Sequence, residues 1–323
     1  MLKKIGLFTA LNFLLVFAVS AQTPENTALA NSSTPSLEEI LVSAEKQTTN
    51  YQEAFRNLLA VETKTFETFD KNEQVKEKRV VESNFLVYQS SKNSNISFEL
   101  RNVIKVDGKP IPDSQTKSDQ FFAELSKTST LKSELEKIQK AGSKYDKTLD
   151  VSGLTLYEGI ILSKNLRPYF EYQLLGNESV NGTEVYVIAY RQTKLSPFIR
   201  INGKEADLNS PSLEFNVDIP GNFKKNNVFL QGKLWLDAKT FQIWREEREL
   251  VIQAIEPLTF METTFEYQPS NYEILVPKQI SLINKEIKKQ NGKFMAFSDL
   301  RINFDYSQFR RTETDVKILD DEP

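Results

Sequence analysis

The chain changes its hydrophobic period more than once, and each change marks a different kind of element. From Leu37 the apolar positions recur at helical intervals (Ile40, Leu41, Ala44, Tyr51, Phe55, Leu58), which predicts one long amphipathic helix with a single stripe to bury. Pro35 suits a first helical position, and Ser36 with Glu39 has the spacing of a capping box. The period then falls to two. Val61 to Thr65 alternates, Val80 to Gln89 is a dense apolar run, and Ile96, Phe98, Leu100, Ile104 and Val106 occupy alternate positions until Asp107-Gly108-Lys109-Pro110 supplies a turn. Helical spacing returns over Phe121, Phe122 and Leu125, then Leu131, Leu135 and Ile138, stopping at Gly142; Leu154 to Leu162 is read as a further helix.

From Tyr169 onward the pattern is nearly all strand. Tyr169 to Leu175 and Glu184 to Arg191 flank Asn181-Gly182, a strong hairpin signal. Strands are expected at Val228 to Leu236, Phe241 to Ile252, Thr259 to Tyr267 and Val276 to Lys288, and Asn291-Gly292 turns the last of these into Lys293 to Tyr306. Strands grouped apart from helices predict an α+β fold, mainly antiparallel β: a curved half-barrel sheet of roughly nine to eleven strands, ordered as a meander and covered by helices. One domain is expected over residues 34–310, with a helical insertion at about 114–162 and a long loop at about 197–227. Residues 22–33 read as a disordered lead-in and 311–323 as an acidic tail.

Strands with one apolar face must bury it, and a long twisted sheet presents a concave face that needs a cover. On this argument Phe98, Leu100, Leu230, Leu234, Ile280, Leu282, Leu300, Ile302 and Phe304 are the candidate concave, ligand-binding positions, with the helices from Leu37 and Phe121 as covers. If the helices fill the concavity, these residues are core; if they form a lid, the gap admits an acyl chain. Periodicity leaves both open.

Composition narrows the field. Lys3-Lys4, the apolar segment Ile5 to Ala18 and the small-residue exit Val19-Ser20-Ala21 read as a signal peptide, residues 1–21, cleaved near Ala21. The apolar run is short for a membrane span, and no later segment suffices. With no cysteine there is no disulfide and no lipobox anchor, so an exported, soluble, periplasmic protein is expected. The formal charge of −3 becomes more acidic once Lys3 and Lys4 leave, and the basic clusters are short, so nucleic acid is not expected as a partner. The chain also has no histidine, which removes the usual general base and zinc ligand. No cofactor, metal site or integral membrane segment is expected in the mature chain, and a monomer is.

The remaining motifs read as structure. Trp235 and Trp244, flanking the Asp237 to Thr240 turn, are expected as cross-strand packing partners rather than lipid contacts. In Arg245-Glu246-Glu247-Arg248-Glu249 each strand face pairs opposite charges, the pattern of a solvated sheet surface rather than of acid–base catalysis. Ser126-Lys127, Ser143-Lys144 and Ser163-Lys164 lack the S-x-x-K spacing, and none of the four Gly-Lys pairs has the glycine a Walker A loop needs. No catalytic constellation is present, so an enzyme is not expected.

Tyr51-Gln52-Glu53-Ala54-Phe55, Val106-Asp107-Gly108-Lys109-Pro110-Ile111 and Gly232-Lys233-Leu234-Trp235-Leu236-Asp237 resemble a family of uncharacterised secreted bacterial proteins. Gly232 through Phe309 is also similar to the half-barrel of the periplasmic lipoprotein carriers and receptors (LolA/LolB-like), where a Gly-x-Leu-Trp-x-Asp strand leads into consecutive antiparallel strands. That resemblance implies an open curved sheet, lidded by helices, that holds the acyl chains of lipoproteins. It carries over no individual ligand-handling residue, and this chain is the longer by its insertion and loop. The function expected is burial of a lipid or lipidated protein without chemistry; the alternative is a structural or protein-interaction module of the cell envelope with a fully packed core.

Overall fold

The computed structural model describes residues 35–55, 58–89, 97–114, 116, 130–131, 139–146, 154–155, 158–201, 213–215, 219, 223–224, 227–311 and 318–319. One compact unit spans Ser36–Pro323; the other, Met1–Pro35, lies almost wholly outside the described residues, as does the expected signal peptide.

Helix α1 runs Leu37–Phe55 and buries Ile40, Leu41, Ala44, Thr48, Tyr51 and Phe55, the stripe that the spacing predicts. Its start is a capping box: the Glu39 amide donates to Ser36 Oγ at 3.3 Å, and the Ser36 amide donates to Glu39 Oε2 at 2.7 Å. Ser36 is thus the cap, and Pro35 stands before it rather than inside the helix. Leu58 belongs to the next strand, not to the helix. Ser36→Ala removes an acceptor for one orphan amide and is expected to cost about 1 kcal/mol, read as a lower urea midpoint at unchanged slope.

The strands are β1 (Leu58–Phe69), β2 (Val75–Gln89), β3 (Ser97–Val106), β4 (Lys109–Pro110), β5 (Thr130–Leu131), β6 (Phe170–Val180), β7 (Thr183–Gln192), β8 (Ile199–Ile201), β9 (Leu213–Phe215), β10 (Val228–Asp237), β11 (Ile243–Ile252), β12 (Leu258–Pro269), β13 (Leu275–Gln290), β14 (Lys293–Arg311) and β15 (Ile318–Leu319). Eleven of them form one open antiparallel sheet in the order β4-β3-β2-β1-β14-β13-β12-β11-β10-β7-β6, the curved half-barrel expected. It is two meanders rather than one, joined where β1 pairs with β14. Asn181-Gly182 and Asn291-Gly292 make the tight turns of β6–β7 and β13–β14 with positive φ at both residues, a geometry that Asn-Gly adopts at low cost.

Outside the large sheet the predictions fare less well. Of the expected helix from Leu154 to Leu162, the described residues form turns and a short 3₁₀ segment, Ile160–Leu162, not an α-helix; Gly159 already sits at φ 55. Leu131, expected in a helix, lies in β5, which pairs with β15 in the expected tail. Ile199–Ile201 and Leu213–Phe215 form a small parallel ladder within the expected loop. Most of the helical pattern from Phe121 to Ile138 falls outside the described residues, while residues 139–142 are helical and end at Gly142.

Candidate functional site

Strand register assembles the concave face. One row of neighbours crosses eight strands: Ile188, Leu234, Glu246, Phe265, Ile280, Phe304, Lys64 and Val81. The next row holds Tyr190, Gly232, Arg248, Thr263, Leu282, Ile302 and Phe66. Leu230, Leu234, Ile280, Leu282, Leu300, Ile302 and Phe304 all lie on this face and all are buried.

Leu100 does not join them. Its neighbour Arg101 bonds Glu62 and lies over Phe85, so the alternation of an extended strand turns Leu100 to the opposite face. There it pairs with Leu86, both buried but outside the main core cluster. Assigning β3 by its apolar residues chose the wrong parity, because two charges, Glu99 and Arg101, face inward. Phe98 pairs with Tyr88 in the backbone ladder; its side chain is outside the described residues.

Among the described residues, α1 and a strap cover the concave face, and Asp146 and Thr155 reach its inward Lys64 and Glu99. Tyr51 of α1 meets Tyr267 edge-on at 6.3 Å, and Phe55 meets Phe309 at 6.1 Å. The strap, residues 158–169, runs beside α1 and buries Ile160, Ile161, Leu162 and Leu166. A Cβ on Gly159 would stand 2.7 Å from Ile243 Cδ1 and 2.8 Å from Thr48 Oγ1, so the strap is pinned between β11 and the helix. Among the described residues no backbone hydrogen bond joins α1 or residues 158–166 to the large sheet. Side chains tie the cover together instead: Glu45 accepts from the Lys164 amide at 2.9 Å and from Arg167 at 3.2 Å, and Arg167 also reaches Glu38.

Beneath this cover the face is partly ionic, which hydrophobic periodicity did not anticipate. Arg101 donates to both oxygens of Glu62, at 2.7 and 2.9 Å, and to Glu99 at 2.9 Å. Glu99 Oε1 accepts from the amide and hydroxyl of Thr155, whose carbonyl accepts from Tyr51 at 2.9 Å. A continuous polar path therefore links sheet, residue 155 and α1. Lys64 pairs with Asp146 at 2.6 Å. At the other side Glu246 Oε1 accepts from Arg248 at 2.8 Å and Tyr190 at 3.0 Å. The opposite-charge pairing within the Arg245 to Glu249 run is present, but the Glu246–Arg248 face is buried rather than solvated.

The titration of these groups follows from burial and partners. Burial pushes Glu62 up, but Arg101 and Lys64 outweigh it and hold it below its ordinary value. Asp146 is raised, burial prevailing over the attraction of Lys64. Burial and then the charge of Glu246 push Glu158 well above 4.5. A raised carboxyl binds more protons folded than unfolded, so its contribution is favourable in acid and lost as pH rises through the folded value. Stability is therefore expected to fall as pH rises from 4.5 towards the folded value, and Glu158→Gln to flatten that decline, as followed by urea midpoints across the range. Glu62 acts oppositely, and its contribution disappears only as pH falls below 4.5.

The tryptophans are structural, though not as each other's partners. Trp244 Nε1 donates to Asp237 at 3.1 Å and Trp235 Nε1 to Glu178 at 2.9 Å, while the Arg245 guanidinium lies over Trp235. Near the C-terminal end of α1 a cavity of about 310 Å³ opens at the β12–β13 turn, lined by Ser270, Asn271, Tyr272 and Phe309 among others. Among the described residues no helix is long and apolar enough to cross a membrane, and no group of three or more Asp or Glu is arranged to hold a metal.

No family model matches the chain, and no curated protein matches it in sequence. Solved structures do align with it. A domain from Vibrio parahaemolyticus named for outer membrane lipoprotein sorting is 13% identical, covers 85% of this chain and 93% of its own, and gives a TM-score of 0.35. A LolA superfamily protein from Nitrosomonas europaea is 10% identical over 86% of this chain and 94% of its own, at a TM-score of 0.33. A DUF1329 family protein from Desulfovibrio piger is 11% identical over 85% and 93%, also at 0.33. The LolA/LolB-like resemblance read from the sequence recurs in these alignments; at such scores they bear on no claim about ligand or partner.

Proposed function

We propose that this chain is an exported, periplasmic carrier that buries an acyl chain of a lipid or lipidated protein between the concave sheet face and its cover, without chemistry. The observation supporting this is the cover's construction. α1 and residues 158–166 of the strap lie on an apolar surface formed by Leu230, Leu234, Ile280, Leu282, Ile302 and Phe304, yet among the described residues share no backbone hydrogen bond with the sheet beneath. Lifting them breaks side-chain contacts only, and each methylene buried in their place gains ~0.8 kcal/mol.

Native mass spectrometry of the full chain, purified without detergent from envelope extracts, tests the proposal. The expected result is a mass increment that organic extraction releases as a lipid or acylated peptide. The absence of any increment, together with no uptake of a fluorescent fatty acyl probe, would overturn it. One observation favours the second reading, an interaction module with a packed core: every concave candidate whose side chain is described is buried by the chain's own packing. A ligand-free protein that captures one stoichiometric protein partner is the outcome that reading requires.

A further inference from the structure

Among the described residues the polar groups under the cover are not all matched: Ser83 Oγ, Asp146 Oδ1 and the Tyr306 hydroxyl lack partners around Glu62 and Lys64, and a second set stands around Glu246. Glu246 uses Oε1 for both Arg248 and Tyr190, while its Oε2, fully buried, has no hydrogen-bond partner among the described residues. Glu158 Oε2 and the Tyr267 hydroxyl are likewise buried and without a partner among the described residues, in residues 3% and 2% exposed. The three belong together. Glu158 immediately precedes the glycine wedged between Thr48 of α1 and Ile243 of β11, which sets it over β11. Glu246 is the inward residue of that strand, and Tyr267 is inward on β12 beneath Tyr51. The charges of Glu158 and Glu246 both act on Tyr267, and that of Glu246 on Glu158.

The charge count is unbalanced as well. Arg248 neutralises Glu246, but no hydrogen bond or ion pair reaches Glu158 from a cation among the described residues. A buried carboxyl without a counter-charge holds its proton, as the raised titration of Glu158 says, and a cation brought beside it favours the ionised form. Two carboxylate oxygens and a phenol oxygen together offer three acceptors. An ammonium presents three N–H donors and one positive charge.

We infer that Glu158, Glu246 and Tyr267 form a recognition subsite for a primary ammonium group carried by an amphiphilic ligand. The inference rests on the carrier reading above and narrows its ligand class to cationic or zwitterionic amphiphiles with a free amine. Glu158, on the strap, supplies a carboxyl that no described cation neutralises and that gives its proton to solvent when the ammonium arrives; Glu246, held in place by Arg248 and Tyr190, supplies the second acceptor; Tyr267 supplies the third. Ligand capture and cover closure are thereby coupled, since the strap carries one wall of the subsite.

Isothermal titration of the full chain with dodecylammonium and with dodecanol, both below their micelle thresholds, tests this. The wild type is expected to bind the amine about tenfold more tightly than the alcohol, the scale of one charge-assisted hydrogen bond. Glu158→Gln should erase that preference while leaving dodecanol affinity within about twofold, and Tyr267→Phe, which keeps the ring packing, should reduce it about threefold. Equal wild-type binding of the two probes, or a preference that survives in Glu158→Gln, would overturn the subsite. If neither chain binds, the carrier reading fails and propylammonium separates the cases. Thermal stabilisation of the wild type but not of Glu158→Gln upholds the subsite alone; stabilisation of neither removes both.

Discussion

Gly232→Ala is expected to destabilise the fold by about 3 kcal/mol or more, at the upper end of overpacking effects. Gly232 sits mid-strand in β10, where a glycine normally weakens a sheet, so a close approach must require it. The structure supplies that approach. A Cβ there would stand 1.9 Å from the Glu247 carbonyl oxygen, and 2.5 Å from the Tyr190 hydroxyl. The tyrosine could rotate away, but it would forfeit its bonds to Glu246 and to the Glu247 carbonyl, and the backbone oxygen cannot yield without disturbing the β10–β11 ladder. Urea unfolding should show a lower midpoint at unchanged slope. A variant as stable as the wild type would mean that Tyr190 does not lie across this position.

Arg101→Met should cost a similar amount, about 3–5 kcal/mol, because it strands two buried carboxylates rather than merely losing a pair. Glu62 and Glu99 are wholly buried, and Arg101 is the partner whose loss leaves Glu62 with no charged hydrogen bond among the described residues. The deficit should shrink in acid. In the wild type the lowered Glu62 loses its favourable contribution as pH falls below 4.5, whereas in the variant protonation relieves the stranded charge. Adding Glu62→Gln and Glu99→Gln to Arg101→Met should restore most of the loss, since neutral amides bear burial better than carboxylates. Failure of the triple variant to recover would place the cost in lost packing over Phe85 instead.

The strands were legible because their turns and alternation are local. Every strand expected from Tyr169 to Tyr306 is present, and Asn181-Gly182 and Asn291-Gly292 fix hairpin register through backbone geometry alone. The join of β1 to β14 depends on residues far apart in the chain, which no local pattern encodes. The interior charges are legible in principle from strand parity. Glu62 and Lys64 share strand parity with Leu58, Ala60 and Phe66, just as Glu246 and Arg248 do with Leu250 and Ile252, and parity outranks polarity once one face is closed. In β3 the inward positions Glu99 and Arg101 are both charged, so an apolar criterion chose Leu100 and the opposite face. Glu158 gave no signal at all, because it stands in an irregular strap whose path is set by Gly159 against Thr48 and Ile243.

Hydrogen exchange followed by mass spectrometry, with and without dodecanol, tests most directly whether a separable cover rests on a fixed wall. The account expects α1 and residues 158–169 to exchange together and faster than β10 through β14, and to change protection when the probe binds while the strands keep theirs. Exchange of the cover only at the rate of global unfolding, in step with the strands and indifferent to the probe, would contradict it.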